Sequence, residues 1–280
     1  DELTMLGKLT KYNEKWVKTL TKTEAQNVLR ITKNIPDANL EKLVSSKLGQ
    51  HTLKAADATE GLIAKQAKLV SRWSVSKADD VVSKCILFIF CDTSRIKNLN
   101  KLLDELPDQS VSKFDDKVAL DMLSSKELDA TIDAVKSVKN VKGYDIVTDN
   151  MVSQSARWGY SYQLKKAYQL KTVGKEVVEF EQPLKNSAGV VLTRADIVYK
   201  DTGSAIEKFA ETKNWNWNTF SSAVKKNRIQ ELMGQLKAYY DAVGDWDRIR
   251  LFSNYGVPND VRTALVSEFG NTAVTKLLGG

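Results

Sequence analysis

Histidine is almost missing from this chain: His51 is the only one in 280 residues. Its position in the first half excludes histidine-metal nucleases and two-histidine ribonuclease chemistry. It also excludes Ser-His-Asp and Cys-His hydrolases, whose histidine must stand beside the nucleophile. His51 itself reads as a surface or packing residue. Cysteine is scarce too, with Cys85 and Cys91 alone flanking an apolar run and no CxxC pair or Cys/His cluster. That pattern excludes a zinc finger or a disulfide framework. No apolar run reaches membrane-spanning length; Cys85-Ile-Leu-Phe-Ile-Phe-Cys91 is far too short and reads as a buried strand or helix core. No stable membrane insertion is therefore expected. No secretory signal opens the chain, and a start at Asp1 fits a piece of a longer protein.

Positive charge is in excess. The formal net charge is +7, which favours an anionic partner without naming one. Residues 1–150 hold 24 Lys+Arg against 22 Asp+Glu, while residues 151–280 hold 18 against 13. Most of the excess sits in the second half.

The first 140 residues are poor in Gly and Pro and show helical periodicity. Leu40-Glu-Lys-Leu-Val44, residues 55–73 and residues 97–106 place apolar residues at three- and four-residue spacings. Ser124-Ser-Lys-Glu127 has the form of a capping box, after which Leu128, Ile132, Val135 and Val138 fall on one helix face. An all-α region over residues 1–145 follows, with no convergent polar set. Asn140-Val-Lys-Gly143 marks the junction. Beyond it the pattern predicts a helix at 150–171, strands at 176–183, 190–200 and 206–213, a helix at 220–243, a strand at 248–252 and a helix at 260–269. Residues 146–280 therefore read as an α/β domain with a four-stranded sheet.

The chemistry concentrates in one predicted hairpin. Thr193-Arg-Ala-Asp196-Ile-Val-Tyr-Lys200 alternates, Asp201-Thr-Gly203-Ser204 is a turn cluster, and Ala205-Ile-Glu-Lys-Phe-Ala-Glu211-Thr-Lys213 returns. Side chains alternate along a strand, so Glu211 and Lys213 share a face and Asp196 can pair beside them. Two carboxylates hold a hard cation such as Mg²⁺ or Mn²⁺ that takes phosphate oxygens as further ligands. The metal polarises a phosphoryl group and acidifies a bound water, and the lysine positions that water or screens charge. Phosphodiester hydrolysis is the expected reaction.

These residues resemble the PD-(D/E)XK, restriction-endonuclease-like nucleases, whose pattern is an acid on one strand and (D/E)-x-K on the next. Asp196 and Glu211-Thr-Lys213 fit it, and Gln235-Leu-Lys-Ala-Tyr239 matches the Gln-x-x-x-Tyr many members carry on the following helix. The resemblance covers roughly residues 150–260 and implies the αβββαβ core with a mixed sheet. It implies Asp196 and Glu211 as metal ligands, Lys213 as the residue assisting water, and Gln235 and Tyr239 as support. One departure is Gln163, where members often place a helix glutamate; either Gln163 orients a water, or the extra acid comes from Glu179 or Glu181.

Around the hairpin, Ile229, Leu232, Leu236, Tyr240 and Val243 form an expected core stripe, with Arg228, Glu231, Gln235 and Tyr239 on a neighbouring polar stripe. Arg228 is a candidate phosphate contact. Trp215 and Trp217, with Lys225 and Lys226, mix aromatic and basic residues that either grip nucleic acid or simply pack. DNA is the first expectation for substrate, with tRNA cleavage or a catalytically silent binding module as alternatives. A basic nuclease domain behind a helical module also resembles the toxin domains of bacterial polymorphic toxins. That implies a secreted or delivered effector acting in the target-cell cytoplasm and a cognate immunity protein.

Overall fold

A strand needs a partner and a cover, and residues 175–253 supply both. In the computed structural model, which describes residues 2–33, 35–54, 93–114, 116–153 and 157–279, the chain divides into two compact units. One comprises Asp1–Ile132 with Val152–Gln154, the other Asp133–Met151 with Ser155–Gly280.

The described part of the first unit is helical. Its elements are α1 (Glu2–Val17), α2 (Lys22–Thr32), α3 (Asp37–Ser45), α4 (Lys47–Lys54), α5 (Thr93–Glu105), α6 (Asp108–Lys113) and α7 (Asp116–Ser124). Local chemistry starts several of them. Thr21 and Glu24 close a capping box at α2, while Pro36 and Pro107 stand at the caps of α3 and α6, where no amide is needed. The expected leucine spacings fold inward: Leu40, Leu43 and Val44 on α3, and Leu99, Leu102 and Leu103 on α5, are buried. The stretch at 55–73, Cys85 and Cys91 fall outside the described residues, as does the side chain of His51 in α4.

The division falls within α8 (Leu128–Val138), where Leu128, Ile132, Val135 and Val138 are buried as the periodicity predicts. It lies earlier than residue 145 because α9 (Tyr144–Met151) packs on α10 (Arg157–Thr172) and on β1 (Lys175–Lys185). The strands β2 (Val191–Asp201) and β3 (Glu207–Lys213) follow, then α11 (Ser222–Val243), β4 (Ile249–Ser253), α12 (Asn259–Phe269) and α13 (Asn271–Leu278). Helix α13 lies beyond the elements read from the sequence.

The sheet has the order β1-β2-β3-β4. The first two pairings are antiparallel and β3 with β4 is parallel, so the sheet is mixed and α11 makes the crossover. Gly203, at φ 82°, takes the left-handed position that the β2–β3 turn requires. Beside that turn Asp201 accepts from both Lys175 and Lys208. These bonds, that from Lys175 foremost, hold its carboxyl down at about 2.

Leu232 and Leu236 of α11 pack with Leu184, Ala195, Val198, Phe209, Ile249 and Leu251 of the sheet and with Val261 and Leu265 of α12. Each fully buried leucine contributes roughly 1.5–3 kcal/mol. The stripe read on α11 is rotated: Tyr240, expected in the core, is 38% exposed and stacks on Trp246, whereas Tyr239 is fully buried.

Candidate active site

The pairing of β2 with β3 stops early. Ile197 opposes Ala210, yet the ladder does not continue to Asp196 and Glu211, and beyond that point the strands part. Parting strands leave backbone groups in need of partners. Two side chains supply them. The Asp196 amide donates to the Tyr239 hydroxyl at 3.2 Å, and that hydroxyl lies 3.0 Å from the Arg194 carbonyl and 3.2 Å from the Ala210 carbonyl, donating to one of them. The Thr212 amide and hydroxyl donate to Asp196 Oδ2 at 2.6 and 2.7 Å. Tyr239 is thus a wedge in the fork, and Asp196 is latched to the far strand.

A cavity of about 630 Å³ opens at this fork. Asp196, Glu211, Lys213 and Glu181 line it, with Gln163, Trp158 and Tyr160 from α10, Trp215 after β3, and Arg228, Glu231 and Gln235 from α11. Glu211 and Lys213 are only 3% and 8% exposed, and the lysine ammonium donates to Glu211 Oε1. That ammonium also lies 4.8 Å from the centre of the Trp215 ring, and the Arg228 guanidinium lies 5.0 Å from the same ring. Arg228 is held in turn by Glu231 at 2.6 Å.

Glu181 stands out by its backbone. Its φ of 55° makes it the one non-glycine residue with positive φ among the described residues. A left-handed conformation in mid-strand costs of order 1–2 kcal/mol. It falls between the pairs Phe180–Ile197 and Gln182–Ala195, so it stands across from Asp196. Its carbonyl accepts from Arg194 Nη1 at 3.0 Å and its carboxylate accepts from Gln163 Nε2 at 3.0 Å. Gln163 also donates to the Asp196 carbonyl. The amide at the helix position therefore holds a carboxylate in place.

Three carboxylates around one recess repel each other. Asp196 is pushed up to about 6, chiefly by loss of hydration and then by Glu181, against the pull of Lys213 and the Thr212 bonds. Glu211 is pushed up to about 7 by burial and by Asp196, against Lys213. Glu181 is raised by burial and by Glu211, with the Gln163 bond opposing. Tyr160 rises as well, through burial and the negative charge of Glu181 and Asp196. Titration near neutrality belongs to the Asp196–Glu211 pair as a unit.

The sequence-predicted residues separate into two groups. Asp196, Glu211, Lys213, Gln235, Arg228, Trp215 and Glu181 come together at the cavity, with Tyr239 beneath it. The others lie elsewhere. Glu179 pairs with Lys142 at 2.9 Å, Lys225 pairs with Asp260, and Lys226 is exposed away from the lining. Trp217 is 2% exposed and packed in the core against Trp215 and Phe220, so no base can stack on it. Sequence reasoning missed Trp158, Tyr160, Thr193, Arg194, Thr212 and Asn214. Arg194 and Thr212 carried a signal, since one stands two residues before Asp196 and the other between Glu211 and Lys213.

Among the described residues no group of three or more His, Cys, Asp or Glu side chains is gathered to hold a metal ion. The donors nevertheless suit a hard, largely hydrated cation, which one or two carboxylates hold with water completing the shell. The mutual repulsion of Asp196, Glu211 and Glu181 is the charge such an ion relieves. Among the described residues no helix is long and apolar enough to cross a membrane. Compared with family models, curated proteins and solved structures, the chain shows no match.

Proposed function

We propose that the second unit is a metal-dependent nuclease of the restriction-endonuclease-like kind, with DNA as the first substrate to test and tRNA the next. The observation that carries this reading is the fork: Asp196 on β2 and Glu211 with Lys213 on β3 share one recess with Glu181. The αβββαβ order with a mixed sheet supports it. Asp196 and Glu211 would hold Mg²⁺ or Mn²⁺, which when bound supplies positive charge for phosphate oxygens and an acidified water.

The chain's own groups do the rest. Thr212 occupies Asp196 Oδ2, and among the described residues no donor is bonded to Oδ1. Lys213, fixed between Glu211 and the Trp215 ring, places an ammonium where negative charge develops on the phosphate. Arg228 draws the phosphate to the same wall. Tyr239 keeps the fork open and is a positioning residue. Delivery of this unit as an antibacterial toxin, with the helical unit serving transport and an immunity protein as partner, belongs to the same proposal and takes its support from the basic charge alone.

The test incubates the full chain with supercoiled plasmid and with total tRNA, with and without Mg²⁺ or Mn²⁺, beside Glu211→Gln and Lys213→Ala. Metal-dependent cutting that both variants lose is the expected result and identifies the polymer. Binding without cutting under every metal condition overturns it in favour of a silent binding module.

A further inference from the structure

The groups that carry the proposed chemistry are recessed. With Glu211 and Lys213 almost wholly buried, a phosphodiester must enter the cavity to touch them. A double helix carries its backbone on a stiff, wide outer surface that a recess receives poorly, whereas an unpaired strand bends and turns its bases outward. The wall of this cavity suits the unpaired form. Trp158 and Tyr160 come from α10 and Trp215 from the segment after β3, and all three line the cavity and are half-buried.

The rim is braced as a unit. Asn214 Nδ2 donates to the Trp158 carbonyl at 2.9 Å, and Asn254 Nδ2 donates to Asn214 Oδ1 at 2.8 Å while the Asn254 amide donates to the Lys213 carbonyl at 3.0 Å. Trp158 and Trp215 are thereby tied to the strand that holds Glu211. The Trp215 ring already carries the Lys213 ammonium and the Arg228 guanidinium, so what it offers a base is the guanidinium held over it, and bases stack on guanidinium planes as on aromatic rings. Gln235 lines the same wall, although its Oε1 is turned away from the open space and has no donor among the described residues.

We propose that the cavity takes an unpaired nucleotide, its base against the Trp158 and Tyr160 rim and the guanidinium that Trp215 supports, and its phosphate toward Lys213, so that single strands and loops are preferred to duplex. This rests on the reading of the cavity as a polynucleotide site. Single-stranded DNA and RNA share the chemistry, and the two arms of the test separate them.

The test titrates the full chain, in EDTA to prevent cutting, into short oligonucleotides carrying 2-aminopurine: single-stranded DNA, single-stranded RNA and the corresponding duplexes. Expected are quenching of the single strands, affinity about tenfold or more above duplex, and about tenfold weakening by Trp158→Ala or Trp215→Ala. Trp158→Phe keeps a stacking face and restores most of the affinity, which a purely structural defect does not allow. Equal affinity for duplex, absence of quenching, or no binding of any strand overturns the proposal. Quenching of single strands without cutting in Mg²⁺ or Mn²⁺ keeps it and removes the nuclease reading; equal cutting of duplex and single strand does the reverse.

Discussion

Replacing Asp196 by Asn should stabilise the second unit at pH 8. Burial and Glu181 push the carboxyl up to about 6 in the fold against an ordinary value of 3.8, and at roughly 1.36 kcal/mol for each pH unit the repulsion that the Asp196–Glu211 pair loses with this charge is on the order of 3 kcal/mol. The sign follows from proton uptake. Between these two values the folded chain holds a proton that the unfolded chain has released, so stability falls as pH rises through that window. The penalty is absent below about pH 4 and complete above about pH 7. Asparagine removes the charge while its carbonyl oxygen can still accept both bonds from Thr212. Because Lys213 pairs with Glu211 and not with Asp196, no buried cation is orphaned. Tryptophan fluorescence in urea reads the effect, since four of the six tryptophans lie in residues 155–280. A shift of roughly 1–2 M in midpoint is expected at pH 8, shrinking to nothing near pH 4. A gain of equal size at both pH values would refute the electrostatic origin, and a loss at pH 8 would refute the repulsion among the three acids.

Tyr239→Phe removes the wedge hydroxyl while keeping the ring; the bared Asp196 amide and the bared carbonyl of Arg194 or Ala210 should lower stability by about 1–3 kcal/mol, and an unchanged urea midpoint would contradict the wedge. Glu181→Gly and Glu181→Ala both delete the carboxylate, but only glycine relaxes the backbone at φ 55°, so the glycine variant should be the more stable by about 1 kcal/mol. Equal midpoints would show that the backbone there is unstrained.

The strands and the hairpin acids were legible because alternation, a turn cluster and the (D/E)-x-K spacing all report on nearest neighbours along the chain. The choice between Glu179 and Glu181 was not. Two residues apart and in one continuous register with β2, they share a face of any ideal strand, and the left-handed backbone at Glu181 is what distinguishes them, with Glu179 on Lys142 and Glu181 at the cavity. The Tyr239–Tyr240 pair was ambiguous for a similar reason. Both are amphipathic, adjacent helix positions point about 100° apart, and what assigns Tyr239 to the interior is the parting of two strands more than forty residues upstream or nearly thirty upstream on the second strand. Trp217 read as a substrate contact by its company of basic residues, and burial against Phe220 made it core. Trp158 and Tyr160 carried no signal, as aromatics on a helix are ordinarily packing residues. The polar content of the helical unit gave no site, and the stretch at 55–73 lies outside the described residues.

The wedge also orders events during folding. The latch from Thr212 to Asp196 spans 16 residues and can close with the hairpin itself, whereas the hydroxyl of Tyr239 reaches Arg194 across 45 residues and must wait for α11 to dock. Loop-closure entropy therefore favours pairing of the strands before the fork is opened, and the burial that raises the two acids is complete only when the helix is in place. Helix docking is in this sense the maturation of the site: a half-folded chain carries every residue of the recess without the recess.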